Sequence, residues 1–429
     1  IALKTILKSK ITYIMTQNPG NFIEHETLKG GEFIIKDSHA EGMFIPEELN
    51  EEQEMVRQMC QDFVENEVAT NKKGQKLEFQ AELLEKAGEL GLLSSHIPEE
   101  FGGMGLGYVE VVATMEQMGR YLLCSPYFST VCLAANALLL AGSDAQKAEW
   151  LGRMCESGLT ATVAFNGGIS DWGADAITAT WRREGDSYVL NGEYRYVVDG
   201  HTAELLIVAA REEGSGGEEG ISLFLLPAET PGVSRQWLPT MDQARKQASV
   251  DLSSVTVGAE ALMGEAGRGW SQLAKVLDLA SIALAAEQVG GCQQLLDMTV
   301  EYTSERVQFN RTIASFQAVK HKAADMMLQT EVARSGIYYA ACVAQEALFG
   351  GELAVELPEA ASIAKSYCSD AYFAIAGDSM QLFGGVGFTW EYDVHLYFKR
   401  AKSSEQMLGG GSVHRERIAV ALLDEGVVS

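Results

Sequence analysis

The chain has 429 residues, 47% of them hydrophobic, and 59 acidic against 33 basic side chains give a formal charge of −26. That length supplies two or three domains with buried cores. The charge excludes nucleic acid as a partner, since phosphates require clustered Lys and Arg, and no apolar run reaches the roughly 18 residues of a membrane-spanning helix, so no membrane partner is expected.

The first stretch, IALKTILKSKITYIM, is apolar and Lys-bearing but lacks a small-residue cleavage site, so it is not read as a targeting segment. Met15 is read as the natural start and residues 1–47 as an N-terminal extension. Apolar residues then recur at helical spacing over 48–67, with Met55, Met59, Phe63 and Val64 on one face. Further helices are expected over 78–92, 108–123, 127–141 and 144–156. The connector PEEFGGMGLG, 98–107, does not match a GxGxxG dinucleotide turn.

From about residue 160 the period changes to two. TATWRREGDSYVLNGEYRYVVDG, 178–200, predicts three strands with turns at Glu184–Asp186 and at Asn191-Gly192. AELLIVAAR, GISLFLLP, VSRQWLPT and ASVDLSSVTV continue the pattern. Helical spacing returns over 270–305, 316–349, 358–383 and 391–407. Small residues in SIALAAEQVGGC and SIAKSYCSDAYFAIAG would let these helices approach closely, as in a four-helix bundle. The expected fold class is therefore α+β: an N-terminal α-helical domain (48–159), a middle antiparallel β-barrel-like domain (160–264) and a C-terminal four-helix bundle (265–429).

Cys60, Cys124, Cys132, Cys155, Cys292, Cys342 and Cys368 are scattered and form no CxxC pair. Neither disulfides nor a metal site are expected, and a reducing cytoplasm fits. Three segments could carry chemistry. ERVQFNRTIASFQAVKHKAADM, 305–326, gathers Arg306, Arg311, Lys320 and Lys322 around Gln317. QLFGGVGFTWEYDVHLYFKRA, 381–401, sets Gln381 beside Gly384 and Gly385. Arginine and amide groups suit a pyrophosphate and a heterocycle, and paired glycines let a ligand reach the backbone. A bundle turn with surface cations reads the same way. TVAFNGGISDWG, 162–173, is the third segment, at the entry to the β domain. Near the C-terminus, SSEQMLGGGSVHRER, 403–417, is compatible with a phosphate loop, a helix stop or an active-site turn.

Together these segments resemble the acyl-CoA dehydrogenase family over about residues 50–425. The family pattern R-x-x-F-G-x-P-I…F-Q-A-V-K-H…A-D-M is met by Arg306, Phe309, Ile313, Phe316 to His321 and Ala324 to Met326. Its Q-x-x-G-G-x-G-F-T-W-E-x-D is met by Gln381, Gly384, Gly385, Gly387 to Glu391 and Asp393. The resemblance implies FAD held between the β domain and the bundle, with its adenosine side reaching across a dimer interface. Arg306, Phe309 and Gln317 would meet the pyrophosphate or adenosine side, and Gln381, Gly384 and Gly385 the adenine side. Tyr196, Val197 and Val198 would flank the flavin, although many members carry a hydroxyl at the position of Val198.

The implied reaction is α,β-dehydrogenation of an acyl-CoA thioester, with electrons passed to an electron-transfer flavoprotein. It needs a carboxylate to take the α proton while hydride leaves the β carbon. The two slots where the family carries that carboxylate hold Leu408 and Ala280 here. Candidate substitutes are Glu405, one helical turn before 408, and Glu391, Asp278 and Glu287. The β-domain stretch T-E-P-x-x-S-D is replaced by approximately NGGISDW, 166–172, and F-G-x-P-I by Phe309–Ile313. The rival expectation is a non-catalytic FAD- or acyl-CoA-binding subunit that works with a base-bearing partner; an oxidase comes third. A homodimer, a homotetramer or a hetero-oligomer is expected.

Overall fold

The computed structural model describes residues 49–69, 81–168 and 172–423. The expected N-terminal extension, and Ile169 to Asp171 of the NGGISDW stretch, lie outside the described residues. The N-terminal region is helical: α1 (Glu51–Phe63), α2 (Ala81–Glu89), α3 (Tyr108–Arg120), a π-wound stretch Phe128–Ala135 running into α4 (Asn136–Ala141), and α5 (Asp144–Ser157). Two starts are fixed locally by capping boxes. The Asn50 side chain accepts from the Gln53 N–H at 2.9 Å while Gln53 answers the Asn50 N–H at 3.0 Å, and Ser143 and Gln146 repeat the arrangement before α5.

The middle region is a sheet of eight strands: β1 (Ala161–Ala164), β2 (Thr180–Glu184), β3 (Ser187–Val198), β4 (Leu205–Glu212), β5 (Ile221–Pro227), β6 (Val233–Leu238), β7 (Gln247–Gly258) and β8 (Leu262–Met263). Their order is β6-β7-β3-β2-β4-β5-β8, with β1 beside β4. Most pairings are antiparallel, but β1 and β2 each run parallel to β4. The turn expected at Asn191-Gly192 does not form. β3 runs through it, with a register shift against β7 between Leu190 and Gly192. Gly192 has φ +151, and a Cβ there would come within 2.5 Å of Ala179. The glycine thus serves a bulge and a close approach, while the Asn191 side chain accepts from the Ser254 N–H at 2.7 Å.

The C-terminal region holds α6 (Trp270–Glu305), a short hairpin of β9 (Val307–Gln308) and β10 (Arg311–Thr312), α7 (Gln317–Phe349), α8 (Leu357–Phe383), α9 (Val394–Gln406) and α10 (Gly411–Leu423). Every residue of α6 from Val276 to Cys292 is buried, so this stretch of the helix is covered all round, as its apolar sequence requires. Its glycines explain how. A Cβ on Gly290 would sit 1.8 Å from the Glu116 carbonyl of α3, and one on Gly291 would sit 2.4 Å from the Tyr372 ring of α8. Helix α3 therefore docks backbone to backbone on the bundle. The last helix, α10, was not expected from sequence; it begins on the third glycine of the Gly409–Gly411 run, so that run joins two helices.

Candidate active site

Two places gather the residues singled out by sequence, and a third emerges only in three dimensions. The first is one end of the bundle. The Tyr302 ring near the end of α6 stacks on Phe383 at the end of α8, centroids 4.2 Å apart. This brings the turn carrying Arg306 beside the turn carrying Gln381, Gly384 and Gly385. The Ile313 N–H returns to the Arg306 carbonyl at 2.8 Å, and Phe309 meets Phe316 edge to face, which sets Gln317 at the start of α7 in the same neighbourhood. Arg306, Phe309, Gln317, Gln381, Gly384 and Gly385 are all exposed, and Phe309 is 86% so. The side chains of Arg306, Gln317 and Gln381 have no hydrogen-bond or ion-pair partner among the described residues. Gly384 has φ +63, and a Cβ on it or on Gly385 would meet nothing within 4 Å.

The second place is the turn after α9. Leu408 is buried at 6% exposure in the same apolar cluster as Ala280 of α6, which is fully buried. It is one of few non-glycine residues with positive φ, +59. Gly409 follows at φ +96. The Leu408 carbonyl lies 3.0 Å from His414 Nε2, and the Gly409 carbonyl lies 3.1 Å from Lys365 Nζ.

The third place is the junction of the three regions. Phe128, Val198, Asp199, Arg245, Glu287 and Arg400 border a cavity of about 20 Å³, room for about one water. Glu287 of α6 is held by Arg245, from the β6–β7 loop, and by Arg400 of α9 at 2.9 Å; Arg400 also bonds Asp242. Burial opposes the charge on Glu287, but the two guanidinium groups outweigh it and hold its carboxyl below the usual range. Burial likewise opposes the Arg400 charge, and Asp242 and Glu287 outweigh it. Asp199 differs. Burial pushes its carboxyl up to about 6, offset only in part by the Ser129 hydroxyl, which donates to it at 2.7 Å.

The substitute carboxylates fare as follows. Glu287 is locked between two arginines. Asp278 is buried and paired with Arg417 at 2.8 Å. Glu405 is paired with Lys402 at 2.7 Å, and Glu391 is exposed at the bundle end. Of the residues expected to flank the flavin, Tyr196 is 43% exposed with φ +58, whereas Val198 is buried against the junction cavity. Sequence reasoning missed Asp199, Asp242, Arg245, Arg400, Lys365 and His414. A usable signal existed for Lys365 alone: it is the one cation in a helix run of small residues, SIAKSYCSDAYFAIAG.

The family models for acyl-CoA dehydrogenase match this chain in three parts: the N-terminal domain over residues 50–158, the middle domain over 166–253 and the C-terminal domain over 267–423. The chain belongs to the acyl-CoA dehydrogenase family. It is 31% identical over 385 residues to the mitochondrial short-chain specific acyl-CoA dehydrogenase of Rattus norvegicus, covering 88% of this chain and 91% of that protein. Among solved structures it resembles a chain in that of the electron transferring flavoprotein of Acidaminococcus fermentans, with TM-score 0.82 and 30% identity over 88% of this chain and 99% of that one. It also resembles a chain of the ChsE4–ChsE5 complex from Mycobacterium tuberculosis, with TM-score 0.78 and 28% identity over 88% and 98% of the two chains.

This acyl-CoA dehydrogenase family works with FAD. The exposed, unpartnered Arg306, Gln317 and Gln381 and the open space over Gly384 and Gly385 fit the phosphate and amide chemistry of its adenosine end. Position 198, expected at the ring end, is a valine and offers no hydroxyl for such a contact. Among the described residues no helix is long and apolar enough to cross a membrane, and no group of three or more His, Cys, Asp or Glu could hold a metal ion.

Proposed function

We propose that this protein is an FAD-dependent acyl-CoA dehydrogenase whose base slot is vacated. In this reading residues 48–159, 160–264 and 265–429 act as its three domains. Arg306, Phe309, Gln317, Gln381, Gly384 and Gly385 hold the adenosine and pyrophosphate end of FAD, and Tyr196 and Val198 flank its ring. When bound, FAD supplies the acceptor for the β-carbon hydride, and an electron-transfer flavoprotein takes the electrons onward. The chain's own residues bind and orient the thioester and shield it from water. The likeness to short-chain members supports a small acyl group. Seven cysteines, all free, support a reducing cytoplasm.

The observation that carries the reading is the turn at 408. It keeps the strained backbone and buried aspect of a site residue, yet its side chain is aliphatic, and so is Ala280. Neither can accept a proton. A positioned base contributes about 10²–10⁴-fold in rate, so the unmodified chain turns over weakly and Leu408→Glu raises turnover by a factor in that range. Anaerobic mixing with a panel of acyl-CoAs, following bleaching of the flavin absorbance, measures both. Full activity in the unmodified chain that survives Glu405→Gln would overturn the reading. So would a Leu408→Glu variant that folds and binds both ligands but gains nothing.

The two aliphatic slots also favour a second reading. The chain would then be a non-catalytic subunit that binds FAD or acyl-CoA beside a base-bearing partner, an arrangement supported by the likeness to a chain of a two-protein complex. Co-expression separates the readings: a homodimer or homotetramer competent after Leu408→Glu fits the first, and flavin reduction only in a mixed oligomer fits the second.

A further inference from the structure

Every helix ends with carbonyls that have no partner inside it. At the end of α9 two of them are met from another helix. Lys365, in the middle of α8 and fully buried, places Nζ 3.0 Å from the Ser404 carbonyl, 3.1 Å from that of Glu405 and 3.1 Å from that of Gly409. Ser369 Oγ lies 2.9 Å from the same nitrogen. Among the described residues Lys365 forms no salt bridge. His414 of α10 lies against a further carbonyl of the turn, that of Leu408, at 3.0 Å from Nε2, with Ser362 Oγ 3.3 Å from Nδ1. A carbonyl only accepts, so the imidazole proton sits on Nε2 and the Ser362 hydroxyl donates to Nδ1.

A buried ammonium with no carboxylate is a costly way to end a helix. Glycine ends one without it, and three glycines follow. What the ammonium does beyond capping is to tie the carbonyls before and after Leu408 to one atom. Between those ties Leu408 is left in the left-handed region, which non-glycine residues leave unless their surroundings hold them there.

We propose that Lys365 is a positioning residue for position 408: its Nζ fixes the Ser404–Gly409 turn so that the side chain at 408 is held inward, toward the apolar cluster shared with Ala280. The geometry stands whatever 408 carries; its catalytic use rests on the acyl-CoA dehydrogenase reading. The groups facing Lys365 are Cys368, Ser369 and Asp370 on its own helix, Ser404 and Glu405 on α9 and His414 on α10. Gln288 of α6 reaches the same Ser369 and Ser404 hydroxyls. Burial lowers the Lys365 ammonium to about 7 and, with the Lys365 charge behind it, the His414 imidazole to about 4. His414 therefore stays neutral while Lys365 titrates. An amine has two N–H groups against three carbonyls, so deprotonation releases at least one of them.

The test is amide hydrogen exchange on the full chain, corrected for the ordinary pH dependence of exchange, in wild type and in Lys365→Met. The expected result is exchange at least tenfold faster over 404–411 in the variant, with α6 unchanged. In wild type the same segment should lose protection between pH 6 and 9, while the variant shows no such step. Loss spread evenly over the bundle, an unaffected turn, or equal pH responses in the two proteins overturns the proposal. If Lys365→Met does not fold, the wild-type pH series still decides: no step over 404–411 refutes it. A second arm adds Leu408→Glu to both backgrounds, where the gain in turnover should vanish without Lys365. A Leu408→Glu protein that gains nothing in either background counts against the dehydrogenase reading alone, because the exchange result does not depend on it.

Discussion

Arg306 and Arg400 are the same residue type in the same bundle, and their surroundings are opposite. Arg306 stands exposed at the bundle end without an ion-pair partner among the described residues. Arg400 is 2% exposed and bonded to Asp242 and Glu287 at the three-region junction. A guanidinium in water is stable without company, so its place at the bundle end is open to a ligand. A buried one persists only because carboxylates were buried with it. The lesson is that exposure without a partner marks binding potential, whereas burial with two partners marks assembly.

The largest effect should therefore come from the buried arginine. Arg400→Ala strands Asp242 as an uncompensated buried charge and leaves Glu287 with Arg245 alone, an expected loss of about 3–5 kcal/mol. Urea unfolding followed by circular dichroism measures it. A loss within the range of a surface substitution would break the comparison. Arg306→Ala should leave that unfolding curve unchanged and weaken flavin retention instead. Loss of a charge-assisted bond to the pyrophosphate corresponds to about 1.5–3 kcal/mol, read from the FAD content after gel filtration and by titration. Unchanged flavin affinity, or a large shift in unfolding, would put Arg306 on the structural side.

The smallest effect concerns Asp199, the junction carboxylate with no guanidinium bonded to it. Its carboxyl is raised from an ordinary 3.8 to about 6, so the folded state binds the extra proton between those values. The stability it contributes is full below about 3.8 and is lost as pH rises through 6. Asp199→Asn keeps an acceptor for the Ser129 hydroxyl and removes this dependence. On the order of 1 kcal/mol of added stability is expected at pH 7.5, allowing for the partial neutralisation by the neighbouring cations, with no gain at pH 4. Thermal melts at the two pH values give the comparison, and an equal shift at both would refute it.

Much of the fold was legible in the sequence because it depends on near neighbours along the chain. Helical and alternating periods located the long helices of the bundle and most strands of the sheet, and the exposed residues proposed for the adenosine end of the cofactor stood in recognisable runs. The misreadings share one cause. Asn191-Gly192 carries the signature of a tight turn, but β7 and Ala179 demand a bulge there, and neither lies within ten residues of the pair. Gly409–Gly411 does follow the end of α9, but α10 beyond it was not legible because it is seated on α8 by His414 against Ser362 and by Arg415 against Asp370, contacts that no local pattern reveals.

By itself the sequence determined the order of helical and strand regions, the close helix contacts at Gly290 and Gly291, and the aliphatic character of positions 280 and 408. These follow from local spacing, side-chain volume and residue identity. Only the tertiary structure decided which charges are buried and what compensates them. Arg400 meets a carboxylate 158 positions earlier in the chain, Glu287 an arginine 42 positions before it, and Lys365 a carbonyl 44 positions beyond it. A charge can leave water only when its partners are already in place, and it is the packing of three regions around α6 that puts them there.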